Sequence, residues 1–165
     1  MSLVVSLVLT RLGYGSATLA GLPAKQLDRL QSVLNAAARL VFSARKYDHI
    51  TPLLRELHWL RVPERIQFRL AVLVFRCLND QAPKYLGNEL RRVADVDSRR
   101  RLRSASTAAL IVPRTEHSTI GDRAFPVAAA RTWNSLSPFV TSSPSLPVFK
   151  RRLKTELFAR SFDVD

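Results

Sequence analysis

Apolar residues recur every three or four positions through the first half of the chain. Leu27, Leu30, Leu34, Ala37, Ala38 and Val41 form one such stripe, and Arg29, Gln31 and Arg39 lie off it. That period is the mark of an amphipathic helix. Gly21-Leu22-Pro23 breaks the chain ahead of it, so Pro23 or Ala24 opens the helix and "SARKYDH" ends it. Thr51-Pro52 is the next start signal, with Thr51 as cap and Pro52 in the first turn of a short helix that runs to about Leu57. Pro63 opens "PERIQFRLAVLVFRCLND". Ile66, Leu70, Leu73 and Cys77 make one apolar row in it, and Phe68, Val72 and Phe75 make another. Two apolar faces predict a helix buried on most of its circumference, the central one. Asn79-Asp80 ends it, and Pro83 begins a fourth helix in "PKYLGNELRRV".

The periodicity stops at Ala94. From there to Ser106 the chain is polar and rich in arginine, a linker or loop. "AALIVPR", Ala108–Arg114, reads as a short β-like run stopped by Pro113. The N-terminal "LVVSLVL" reads as a buried strand or helix, and a strand there would pair with this run. "FPVAAARTWNSL" is a helix with Pro126 in its first turn. The last helix starts near Ser145 or Pro147, with Phe149, Leu153 and Leu157 stacked at four-residue spacing. Arg152 and Glu156 are spaced to pair at i, i+4. Lys150, Arg151 and Lys154 face the other way as a basic stripe. The expected fold is mainly α: a small helical bundle with a short β element and a C-terminal amphipathic helix. It divides into a bundle over 1–94, a basic loop with the β-like run over 95–118, and a helical segment over 119–165.

Composition changes this picture in one respect. Lys and Arg number 26 against 13 Asp and Glu, a formal net charge of +13, while the apolar share of 47% is ordinary. A surface so charged attracts polyanions, nucleic acid first and an anionic membrane second. The apolar run Leu3–Leu9 is too short to span a bilayer, which takes about 20 residues, and only Met1 and Ser2 precede it. A secretory signal wants a positive start and a small-residue cleavage site. The single cysteine, Cys77, forms no disulfide within the chain and sits in an apolar run, so it reads as a core thiol in a reducing, intracellular setting, nuclear or cytoplasmic.

Catalytic constellations are missing from the pattern. The glycines form no phosphate loop, and no serine stands in a nucleophile elbow. His49, His58 and His117 are too few and scattered for a metal set of about four ligands. "DVD" occurs at Asp95–Asp97 and at Asp163–Asp165, once in a polar loop and once at the chain end, and reads as solvated acid rather than a Mg²⁺ site. His58 beside Trp59 reads as a helix-end histidine next to a packed ring.

Binding is better represented. Arg99, Arg100, Arg101 and Arg103 make one basic cluster, in "SRRRLRSAS", and Lys150, Arg151, Arg152 and Lys154 make a second. Arginine forks suit phosphate oxygens. The competing reading is a solvated basic face.

Five blocks carry a family likeness: "LAGLPAKQLDRLQSVLNAAARLVF", "YDHITPLLRELHWLRVPERIQFRLAVLVFRCLNDQAPKYL", "RRLRSAS", "TIGDRAFPVAAARTWNSL" and "FKRRLKTELF". In order and spacing they resemble the C-terminal part of the reverse transcriptase of LINE-type non-LTR retrotransposons, nearest the chicken-repeat and jockey-like groups, from about Leu7 to Phe162. In that family the polymerase palm, with its Tyr-X-Asp-Asp turn, lies upstream, and no such motif occurs here. "LTRLGYG" resembles the stretch after the palm, with Gly13 where an aspartate is usual. The resemblance implies thumb and post-thumb, a truncated remnant that grips template and primer without the catalytic centre. Its implied partner is an RNA or DNA backbone, with no membrane, no small-molecule substrate and no cofactor. The alternative is a helical protein-interaction or structural module with no nucleic-acid role.

Overall fold

Turn residues and prolines set the helix boundaries of this chain. The structure, a computed structural model, describes residues 2–95, 108–115 and 121–162. Among them are eight α-helices: α1 Ser2–Gly13, α2 Ala24–Val41, α3 Ile50–Glu56, α4 Val62–Leu78, α5 Lys84–Gly87, α6 Phe125–Asn134, α7 Pro138–Thr141 and α8 Leu146–Phe162. The predominance of helix follows the three-and-four spacing of apolar residues. Pro63 and Pro126 each stand in the first turn of their helix, where the missing N–H goes unneeded. Neither Pro23 nor Thr51 caps through a side chain: Pro23 precedes α2, and α3 begins one residue early, behind His49.

Helices α2, α3 and α4 end in the same way, in the absence of glycine. Ser43, His58 and Asp80 each take a positive φ, of 50°, 53° and 54°. One residue further on, the amide of Ala44, Trp59 or Gln81 reaches back to the carbonyl of Arg39, Leu54 or Arg76, at 2.9, 2.9 and 2.8 Å. These are Schellman closures with an L-residue in the left-handed position. At α3 the buried Trp59 and Leu54 belong to one cluster, which supplies the apolar contact that accompanies such a closure.

The central helix is α4, as its two apolar faces predict. On one side Leu70, Ala71, Val74 and Phe75 meet Ala129 and Trp133 of α6 and Phe149, Leu153 and Leu157 of α8. On the other side Val62 and Ile66 meet Leu34, Ala37 and Ala38 of α2 and Leu54 of α3. Cys77 is buried, whereas Leu73, Phe68 and Val72 are half-buried. The helices of the C-terminal segment therefore complete the core that α4 begins. Phe149 is fully buried, its ring 4.4 Å from Phe75 and 5.8 Å from Trp133, centroid to centroid.

Three expectations are corrected. The N-terminal run is a helix with Leu3 and Leu7 facing outward, 84% and 64% exposed, so it is neither strand nor buried throughout. The β-like run instead meets Arg92, in one isolated antiparallel bridge at Leu110. The amide of Val93 donates to Ala109 and that of Ile111 to Arg91, at 2.9 and 2.8 Å. The side-chain amide of Asn134 takes both backbone groups of Leu110 at 2.8 Å, and Trp133 Nε1 donates to Ala108 at 2.8 Å. Asn134 and Trp133 of α6 thus hold the backbone of this run at Leu110 and Ala108. The fourth helix shrinks to the single turn of α5, because Arg91 and Arg92 leave the helix to make that bridge.

Gly21 sits at φ 75° at the entry to α2, and a Cβ there would lie 2.7 Å from Arg123 Cγ. Its bare backbone lets the segment before α6 pack against the start of α2.

Candidate nucleic-acid interface

Helix α8 buries Phe149, Leu153 and Leu157 and leaves the opposite face to its cations. Lys150, Arg151 and Lys154 are all exposed, and Lys150 and Lys154 stand one turn apart on one row. Arg152 is committed elsewhere. Its guanidinium lies 4.0 Å over the Phe139 ring and donates to the Phe139 carbonyl at 2.8 Å, so it ties α8 to α7. Glu156 does not pair with Arg152. It accepts from Ser137 Oγ and pairs with Arg160, which also bonds the Ser135 carbonyl at 2.6 Å. The i+4 partner toward the C-terminus wins because α7 already holds Arg152. Arg99, Arg100, Arg101 and Arg103 lie outside the described residues.

Beside Lys154 opens a cleft of about 410 Å³ between α1, α4, α8 and the turn after α3. Among the described residues three cations line it, Lys154 of α8 and Arg65 and Arg69 of α4, and no carboxylate does. The walls are Leu9 and Leu12 of α1, Trp59 and Leu60 of the turn, and Phe68 of α4. Arg65 is half-buried, and its Nε is buried without an acceptor. Burial and then the charge of Arg69 hold the Arg65 guanidinium below its ordinary pKa. His58, in its left-handed turn, stands at the rim with its ring stacked on Phe158 at 5.8 Å. Arg61 and Arg55 flank Phe162 nearby, 5.3 and 5.6 Å from its ring centroid.

Sequence reasoning missed Arg65 and Arg69, and a signal was present. Arg61, Arg65 and Arg69 follow one another at four-residue spacing along the central helix and its N-cap. Residues so spaced share one helix face, and a basic row amid apolar residues is a candidate anion contact.

The remaining candidates are plain. Asp95 is exposed in a single 3₁₀ turn, Val93–Asp95. Asp97, Asp163 and Asp165 fall outside the described residues, as does His117. Burial pushes the Cys77 thiol up, which suits a core residue rather than a nucleophile. Among the described residues no group of three or more His, Cys, Asp or Glu is placed to hold a metal ion, and no helix is long and apolar enough to cross a membrane. No protein-family model, curated protein or solved structure matches the chain.

Proposed function

We propose that this protein is a non-catalytic nucleic-acid-binding module that grips a sugar–phosphate backbone, in the manner of the thumb and post-thumb region of the LINE-type reverse transcriptases it resembles. One observation carries the reading. Lys154, from the basic row of α8, shares a cleft with Arg65 and Arg69 of α4, and among the described residues no carboxylate lines that cleft. Phosphates need cations arranged along a track, and this is such a track: Lys150 and Lys154 on α8 lead to two arginine forks on α4. The net charge of +13 adds the long-range attraction that brings a polyanion to it. Arg99, Arg100, Arg101 and Arg103 are further phosphate contacts in this reading. Arg152 serves it indirectly, by fixing α8 on α7. Polymerase chemistry needs carboxylates holding two metal ions about 4 Å apart, and the sequence has no Tyr-X-Asp-Asp turn to supply them.

The test is fluorescence anisotropy on two unrelated duplexes and one RNA hairpin. Lys150, Arg151 and Lys154 changed together to alanine, and separately the four loop arginines, are each expected to weaken binding to all three alike, since phosphates carry no sequence. Binding by both variants equal to that of the unaltered protein refutes the reading.

One observation favours a second reading, a protein-docking module. Leu3 and Leu7 on α1 and Val33 and Leu40 on α2 are exposed large apolar residues on helices that pack together. A helical partner captured on that face, together with salt-independent or absent nucleic-acid binding, supports it.

A further inference from the structure

We propose that the cleft between α1, α4 and α8 is a ligand site in its own right, built for a phosphomonoester carried on a planar body: a nucleotide, free or at the end of a strand. The site goes beyond backbone gripping, because a phosphodiester along a strand has no need of an apolar chamber.

The lining of the cleft asks for two different parts in one ligand. Among the described residues it carries the cations Arg65, Arg69 and Lys154 and no acidic side chain to balance them. The Arg65 Nε is removed from solvent with no acceptor, and Arg69 adds repulsion. An anion beside the two guanidiniums offsets that repulsion. A dianionic phosphate brings two charges and three equivalent oxygens, enough for two guanidinium forks and an ammonium. A carboxylate brings only two oxygens and one charge.

The rest of the lining is apolar and aromatic, with Trp59 and Phe68 among leucines from α1 and the turn. Inorganic phosphate leaves those residues unmet. A planar ring system meets them, and stacking of bases on aromatic rings is tolerant of base identity. The volume, about 410 Å³, falls in the range of about 300–1,000 Å³ typical of small-molecule sites.

Two backbone features keep the chamber in place. His58 holds a left-handed conformation that a β-carbon disfavours, and so puts its ring at the rim against Phe158. Gly13 closes α1 where a Cβ would come within 3.1 Å of Arg69 Nη2. A larger residue there crowds the guanidinium, and an acidic one neutralises it.

Isothermal titration calorimetry at high salt, where backbone binding is suppressed, tests the site. The probes are AMP, adenosine, inorganic phosphate, and a short single strand with either a 5′-phosphate or a 5′-hydroxyl. AMP is expected to bind at least about tenfold more tightly than adenosine or phosphate, since each charge-assisted bond to phosphate is worth about one order of magnitude. Arg65→Met and Arg69→Met are each expected to lose about tenfold or more for AMP. Gly13→Asp keeps every cation and is expected to lose affinity as well, by placing an internal carboxylate beside Arg69. Lys84→Ala, an exposed lysine outside the cleft, leaves AMP binding unchanged. A phosphorylated strand that outbinds AMP assigns the site to strand ends, and AMP binding at least as tight assigns it to free nucleotide. The inference falls if neither AMP nor the phosphorylated strand outbinds its unphosphorylated counterpart, or if Arg65→Met and Gly13→Asp both bind AMP as the unaltered protein does. Either failure leaves low-salt duplex binding, the test of backbone gripping, untouched.

Discussion

Replacing Arg65 by methionine is expected to raise the stability of the free protein while weakening its hold on phosphate. The Arg65 Nε is buried with no acceptor, and burial together with Arg69 lowers its pKa. A buried donor left unsatisfied is unfavourable by about 1–3 kcal/mol. The residue is half-buried and lines an open cleft, so water reaches part of the guanidinium and the lower end of that range applies. Methionine keeps much of the stem's packing and removes the charge. The net expectation is a gain of about 1 kcal/mol. With a urea slope of about 2 kcal/mol/M, the unfolding midpoint rises by about 0.5 M. Urea denaturation followed by far-UV circular dichroism, at one pH and salt for both proteins, measures it. A midpoint that falls by about 0.5 M or more means that Arg65 makes favourable contacts in the free protein, and the reasoning that it awaits an anion is then wrong.

Phe149→Ala is expected to cost about 3–5 kcal/mol, because the ring is fully buried between Phe75 and Trp133; a midpoint shift below about 0.5 M in urea contradicts that packing. Ser43→Gly, which relieves a positive φ at the end of α2, is expected to stabilise by about 1 kcal/mol, read as a rise in Tm, and a fall contradicts the Schellman closure. The hydrogen bond from Arg131 depresses the Asp122 pKa. The stability it contributes is therefore full above the unfolded carboxylate pKa of about 4 and is lost as pH falls through the lower folded value. Asp122→Asn is expected to flatten that acid limb in a series of melts, and an identical acid limb in both proteins contradicts the pairing.

The helical half of this fold was legible because its cause is local. Three-and-four spacing defines α2, α4 and α8, and Pro63 and Pro126 mark the starts of α4 and α6 within a residue. Helix ends were harder to read, because Ser43, His58 and Asp80 do the work usually given to glycine. The partner of Leu110 was illegible for a different reason. It is chosen by Asn134 and Trp133, more than 20 residues away, and no periodicity encodes that distance. The exposure of Leu3 and Leu7 was equally hidden, since apolar character states what a residue tolerates and not what covers it. Of the candidate site, the basic row on α8 could be read from the four-residue spacing of Phe149, Leu153 and Leu157 in "FKRRLKTELF", but the cleft could not. It joins α1, α4 and α8, and only the fold brings Lys154 to Arg65 and Arg69.

The central claim is that cations on α8 and in the cleft hold nucleic-acid phosphates, and the salt dependence of binding tests it most directly. The dissociation constant of the full chain for a random-sequence duplex is to be measured across a salt series, alongside the protein with Lys150, Arg151 and Lys154 changed to alanine. Each phosphate neutralised adds about −0.9 to the slope of log affinity against log salt on duplex DNA. A steep slope is expected, flattening by roughly 3 units in the triple variant if all three cations are engaged. A shallow slope, or one that the triple variant leaves unchanged, contradicts the account.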